Sequence, residues 1–325
     1  MTSRERVLAA LRHEKPDRLP RFEVWIDALV TELGLSDPYG AYAELGQDGV
    51  LLPSRGPAES NAWKDGIDEW GRVWKQGMYS HGVVDTLEDL VRYRTDPEYA
   101  LRFFDPAAVD AIRTRFPDHC HFFGTHIGPF MNSYMAMGLD AFCLRIATDP
   151  PFIHALMSDR TEWAIAVFSR AVELGAELIV MGDDAAHGGG PIVSPDMWRE
   201  FVLPYHRRIV EALGVPVIWH SDGNTYKLLP MAVEAGFTGI HGLEPWSMSL
   251  ANIREEYGNS LTLMGNADVR LLCSNDQEAV RAEVRRCRMD GGNGAYMLST
   301  CNSIFPGMHP DTVREYFRYS GEIAE

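Results

Sequence analysis

Along the second half of the chain, short apolar runs alternate with longer amphipathic stretches. The segments "HCHFFGTHIG" (119–128), "AELIVMGDDAAHGGG" (176–190), "VPVIWHSDGN" (215–224), "FTGIHGLEP" (237–245), "SLTLMGNADV" (260–269) and "GAYMLSTCN" (294–302) read as strands. Between them, residues 140–175, 194–214, 225–236, 248–258 and 276–289 carry helical periodicity. Ser194 followed by Pro195 predicts a sharp helix start, because proline loses nothing where the amide has no partner.

The first 118 residues are less regular. Thr2 and Glu5 fit a capping box ahead of Val7, Leu8 and Leu11, which predicts a first helix ending before Pro16. Strands are expected at "RLPRFEVWI" (18–26) and "GVLLPS" (49–54), and a hairpin or irregular cover at "DEWGRVWKQG" (68–77). No linker interrupts this region, so residues 1–325 are expected to form a single domain, with 1–118 supplying an N-terminal helix and cover segments.

Repeated βα units with almost continuously apolar strands imply a parallel sheet buried on both faces. A doubly wound dinucleotide fold should carry a glycine fingerprint after an early strand, and neither GxGxxG nor GxxxxGK[ST] occurs. The expected architecture is therefore an α/β fold of the TIM-type (β/α)8 barrel.

Polar residues fall where the apolar runs stop: Asp183 and Asp184, His220 and Asp222, His241 and Glu244, Asn266 and Asp268, Cys301 and Asn302. In a (β/α)8 barrel the C-terminal strand ends converge on one mouth, where such enzymes do their chemistry. Imidazole, carboxylate and thiolate are all zinc donors, and a catalytic zinc needs three protein ligands with one open position. His220, Asp222 and Cys301 supply three. The two-residue spacing of His220 and Asp222 aims both side chains the same way if the strand stays extended.

Composition and charge narrow the partners. With 46% hydrophobic and 23% charged residues the chain can fill a globular core. A net charge of −16 would repel a phosphate backbone, which argues against nucleic acid and for a small molecule or a protein. The start of the chain lacks the basic-then-apolar order of a signal peptide, and no window approaches ~18 consecutive apolar residues, so a cytoplasmic, non-membrane protein is expected. Five scattered cysteines suit reduced thiols rather than a disulfide framework.

Several landmarks appear in order: "TSRERVLAALRHEKPDRLP", "DEWGRVWK", "GDDAAHGGGPIVSPDMWREFVLPYHRRI", "HSDGN", "GLEP", "GNAD" and "LSTCNSIFPGMHPDTVREYF". With them the whole chain resembles the uroporphyrinogen decarboxylase superfamily, which includes the zinc methyltransferases of cobamide-dependent methyl transfer. In the methylcobamide:thiol methyltransferases of that superfamily, zinc is held by an H-x-C pair and a distant Cys on the last strand. His220 and Cys301 stand at matching places, and Asp222 replaces the middle Cys. Carboxylate is an acceptable zinc ligand with the charge of a thiolate, and Glu244 could add or substitute a donor. The decarboxylases of the superfamily carry an arginine-rich "RQAGRYLPEY"-type segment. Here the corresponding "RLPRFEVWIDALV" keeps Arg21 and lacks the motif, which disfavours tetrapyrrole decarboxylation.

The resemblance implies an enzyme that moves a methyl group between a small methylated substrate and a corrinoid (cobalamin) carried by a partner protein, with Zn2+ as cofactor. Replacing a soft thiolate by a harder carboxylate should make the metal a better Lewis acid, which points to an oxygen, and the expected one is that of an aryl methyl ether undergoing O-demethylation. Asp183, Asp184 and Glu244 are the candidate catalytic acids, although Asp184 could equally cap the loop before the Ser194 helix. His126, His187, His241, Trp25 and Met131 are candidate substrate contacts. Each has a structural reading beside it: His187 lies in a glycine-rich connector, and Met131 with Phe130, Tyr134, Met135 and Met137 has the pattern of core. A metal-independent lyase or decarboxylase acting through Asp and Arg21, and a non-catalytic corrinoid- or tetrapyrrole-binding partner, are the alternatives.

Overall fold

The computed structural model describes residues 1–26, 33–35, 37–55, 65–96 and 98–324. Its centre is a seven-stranded parallel sheet in the order β1 (Gly49–Leu51), β5 (Cys120–Thr125), β6 (Leu178–Gly182), β9 (Val217–His220), β10 (Gly239–His241), β11 (Thr262–Met264) and β12 (Tyr296–Met297). Strands follow one another in the sheet in chain order, which is the topology of a barrel and not of a doubly wound sheet.

The segment 20–26 brings the two edges together. Phe22 N donates to Leu298 O at 2.9 Å and Leu298 N to Pro20 O at 2.9 Å on the β12 side, while Asp48 N donates to Arg21 O at 2.8 Å next to β1. Isolated parallel bridges pair Arg21 with Leu298 and Ile26 with Ile304. The expected strand over 18–26 is thus present as an irregular eighth stave and not as a continuous strand. Asp27 to Val30 of the compared "RLPRFEVWIDALV" lie outside the described residues.

This closure is pinned by one carboxylate. Asp48, fully buried, accepts from Arg6 Nη1 at 2.7 Å, from both Arg18 Nη atoms at 2.8 and 2.9 Å, and from Arg21 N at 3.0 Å. Arg6 comes from the first helix, Ser3–Leu11, whose Thr2–Glu5 capping box forms as expected. The charge is tolerable in the interior because four donors and two cations surround it.

Helices cover the outside of the sheet, and two of the expected ones are broken by proline. The stretch 140–175 divides into Leu139–Thr148 and Pro150–Glu173 at Asp149, whose side chain caps the second helix. The stretch 194–214 divides into Pro195–Phe201, capped by Ser194, and Leu203–Leu213, because Pro204 cannot continue the hydrogen-bond ladder. The cover at 66–82 is a three-stranded antiparallel sheet, β2 (Gly66–Ile67), β3 (Arg72–Lys75) and β4 (Met78–Gly82). It docks on the helix Pro129–Met137 through Arg72 Nη1 to Asn132 Oδ1 at 2.9 Å and Val84 N to Ala136 O at 2.8 Å. The glycine run 188–190 turns a small hairpin, β7 (Ala186–His187) with β8 (Gly190–Pro191). No helix among the described residues is long and apolar enough to cross a membrane.

Asp48→Ala removes the acceptor that the half-buried Arg18 shares with the buried Arg6, leaves Arg6 with Asp17 alone, and releases the eighth stave. Urea denaturation should show a loss of about 3–5 kcal/mol, the cost of breaking a buried ion pair; a loss below about 1 kcal/mol would mean that closure does not depend on this carboxylate.

Candidate active site

The strand ends are in register. Gly182 of β6 is opposite His220 of β9, and His220 is opposite His241 of β10. The polar residues that follow therefore leave the sheet at one level. The chain then bends sharply at Gly223, whose φ of +80° lies in the left-handed region, and a Cβ there would come within 2.6 Å of the Ala186 backbone. Gly242 is equally constrained, with a φ of +86° and room for a Cβ only 2.2 Å from Ser221 O. These turns hold the loops after β9 and β10 close to each other and to the β6 loop.

Asp184, His220 and Asp222 each offer a ligand atom, and these atoms all lie within 4.8 Å of one another. His220 Nε2 is 3.7 Å from Asp222 Oδ1. Asp184 Oδ1 accepts from Asp222 N at 3.0 Å, and Asn302 Nδ2 reaches both Asp222 oxygens at 2.9 and 3.0 Å. His220 is buried and packs edge-on to Trp25 and His126, with ring centroids 4.9 and 5.3 Å away. Trp25 and His126 are themselves stacked at 4.5 Å, and Trp25 Nε1 donates to Gly124 O.

The electrostatics follow from this crowding. Burial, and then the charges of Asp184 and Glu244, push the Asp222 carboxyl up to about 7. Burial also raises Glu244. Burial drives His220 well below the ordinary imidazole range, helped by His241 and His126, and brings His241 down to about 4. The mouth thus holds neutral imidazoles beside carboxylates that repel one another. A divalent cation would relieve that repulsion, and two carboxylates with one imidazole are a donor set suited to zinc.

Of the three sequence candidates for metal, His220 and Asp222 come together and Asp184 joins them. Cys301 is not a member of that group. It is buried, its backbone N donates to Ala267 O at 2.9 Å, and burial holds its thiol above the usual range. Asp183 faces away from its neighbour Asp184. Its carboxylate accepts from Phe130 N at 3.2 Å, Met131 N at 2.6 Å and His206 Nε2 at 2.7 Å, so it holds the start of the helix Pro129–Met137. Of the two roles open to it, orienting group or proton source, the geometry favours the first. Met131 is buried on that helix. His187 is exposed on the β7–β8 hairpin, where its Nδ1 accepts from Gly189 N. Arg21 packs its guanidinium by Gly46 and Gly321, not among the carboxylates of the mouth.

Asn302, His206 and Tyr134 were not singled out as site residues by the sequence. Asn302 had a signal, its place beside Cys301 at a strand end. Tyr134 lies in the field of Asp184 and Asp183, which together with burial, the larger effect, raises its hydroxyl.

The family profile described as Uroporphyrinogen decarboxylase (URO-D) matches residues 75–322. A methylated-thiol–coenzyme M methyltransferase of Methanosarcina mazei is 26% identical over 215 residues, covering 65% of this chain and 56% of that protein. A uroporphyrinogen decarboxylase of Xanthomonas campestris is 30% identical over 179 residues, covering 50% and 48%. A methylcobamide:CoM methyltransferase of Methanosarcina acetivorans is 24% identical over 317 residues, covering 90% of each chain. The chain thus spans about half the length of the first two of these relatives. A solved structure, a methyltransferase from Methanosarcina mazei, superposes with a TM-score of 0.81 over the full length of both chains at 22% identity, which establishes the shared fold.

Because Asp222 titrates near 7 in the folded chain against 3.8 ordinarily, the folded state holds the extra proton between those values. Stability of the metal-free protein should therefore fall as pH rises from about 4 to about 7 and level off above. Asp222→Asn removes that contribution, and Asp184→Asn shifts it to lower pH. Urea midpoints measured across the range check this; identical profiles for wild type and Asp222→Asn would contradict it.

Proposed function

The chain belongs to the uroporphyrinogen decarboxylase family, and from that premise we propose that it is a corrinoid-dependent methyltransferase, which takes a methyl group from an aryl methyl ether. The other substrate is a corrinoid carried by a partner protein. The observation that carries this reading is the convergence of Asp184, His220 and Asp222 within 4.8 Å at the mouth of the barrel. Two of the relatives are named for methyl transfer to coenzyme M, one of them from methylcobamide, which supports methyl transfer over decarboxylation. The position of Arg21 counts against the decarboxylase alternative, which needs a cation facing the substrate carboxylates.

His220 and Asp222 are the first two ligands of a zinc ion in this proposal. Asp184 takes the third position in place of Cys301, because its oxygen lies in the same 4.8 Å group. When bound, the metal supplies a Lewis acid for the oxygen that gains charge as the methyl group leaves. The remaining work falls to the chain. The stacked pair Trp25 and His126 offers a flat wall for an aromatic ring beside His220. Glu244, whose carboxyl is raised by burial, is the candidate acid for the departing phenolate. Asn302 keeps the Asp222 carboxylate from rotating by binding both its oxygens. In such a transfer the ether oxygen would keep its bonding pair, the reduced corrinoid, as second substrate, would supply the pair for the new bond to methyl, and an acid of the mouth would give the proton that completes the phenol.

Purified protein should hold about one zinc per chain. His220→Ala and Asp222→Ala should each lose the metal and lower corrinoid-dependent demethylation of a methoxyarene by more than about 100-fold, beyond the range seen for groups that merely support a ligand. Cys301→Ser should retain zinc. Metal analysis with a methoxyarene turnover assay, run with and without reduced corrinoid protein, tests this. Zinc-free wild type that releases CO2 from a carboxylated substrate would overturn the reading.

A further inference from the structure

The two buried histidines between the sheet and the mouth are in contact nitrogen to nitrogen. His220 Nδ1 is 2.8 Å from His241 Nδ1, and His241 Nε2 is 3.0 Å from Thr300 O. A carbonyl oxygen can only accept, so the second contact requires a proton on His241 Nε2. The hydroxyl of Ser299, 3.5 Å from the same nitrogen, agrees: it donates to Glu23 Oε2 at 3.3 Å and presents its oxygen to the imidazole.

Each ring is buried and packed against other imidazoles, surroundings that disfavour a charged ring, so both are taken as neutral. A neutral His241 protonated on Nε2 has a lone pair on Nδ1. The short contact to His220 then needs a proton from the other side, which places it on His220 Nδ1. His220 Nε2 is left as a lone pair, and that is the atom 3.7 Å from Asp222 Oδ1.

The acceptor that starts this chain is itself fixed. Glu23 is buried beneath the mouth and accepts from Thr300 N at 2.9 Å, Thr300 Oγ1 at 2.7 Å and Tyr316 Oη at 2.5 Å. Tyr316 belongs to the last helix, Pro310–Ala324, so the orientation of the Thr300 peptide is set by contacts that reach across the whole sequence.

We infer that His241 is a positioning residue: anchored by Thr300 and Glu23, it fixes His220 in the tautomer whose Nε2 lone pair faces Asp184 and Asp222. The tautomer requires no bound metal. The consequence for metal affinity rests on the zinc reading above and is measured separately.

The test uses the metal-free full chain with 15N-labelled histidine. NMR should report His220 protonated on Nδ1 and His241 on Nε2. His241→Phe, which fills the space without a nitrogen, should release His220 from its single tautomer and weaken zinc binding by roughly 10- to 100-fold. His241→Asn, whose Oδ1 can accept from His220 Nδ1, should restore most of the affinity. Thermal unfolding confirms that each variant is folded; should His241→Phe fail to fold, the wild-type tautomers and His241→Asn decide the matter. A wild-type His220 protonated on Nε2, or a folded His241→Phe with unchanged zinc affinity, overturns the inference. Wild type with the stated tautomers but no affinity for zinc would instead sink the metal reading and leave the positioning role standing.

Discussion

The parallel register of β6, β9 and β10 is the constraint from which the site follows. Once Gly182, His220 and His241 are opposite one another, the residues just beyond them have no freedom to separate. Adjacent parallel strands are about 4.8 Å apart, which is also the scale on which donors must gather to share an ion. A slip of one residue in β9 would turn His220 toward the outer face and leave Trp219, with its indole bonded to Asp183 O, pointing into the barrel. The apolar interior is thus as much a part of the site as its carboxylates.

The protein uses the same residue type in opposite ways a few ångströms apart. Asp183 and Asp184 are neighbours in sequence. The first receives three donors and stabilises a helix start; the second receives one backbone amide and keeps its remaining capacity for the mouth. Glu23 and Asp222 differ likewise. Burial raises both carboxyls, but Glu23 is enclosed by hydroxyls and an amide that oppose the rise and serves as an anchor, whereas the charges of Asp184 and Glu244 push Asp222 further toward its protonated form. Buried acids with a full set of donors are structure, and crowded acids short of donors are where a cation fits.

Much of this was legible in the sequence. The apolar runs located the barrel strands from residue 119 onward, and their polar ends marked the mouth, because a strand buried on both faces can carry a charge only where it leaves the sheet. The choice among donors was not legible. Spacing says that Asp183, Asp184 and Cys301 end strands, but how far each side chain reaches into the mouth depends on backbone turns such as those at Gly223 and Gly242. Helix boundaries at Asp149 and Pro204 were missed because periodicity continued across them. The support beneath the site was also out of reach: Glu23 meets Thr300 across 277 residues and Asn302 meets Asp222 across 80, distances over which a local pattern carries no information.

Neutral imidazoles, mutually repelling carboxylates and an aromatic wall are the features on which the proposed metal site rests. The most direct test is anomalous diffraction at the zinc edge from crystals grown with zinc. One strong peak at about 2.0–2.2 Å from His220 Nε2 and from oxygens of Asp184 and Asp222 is the result expected of the proposed metal site. A peak at any other group of side chains, or none at the barrel mouth, would contradict it.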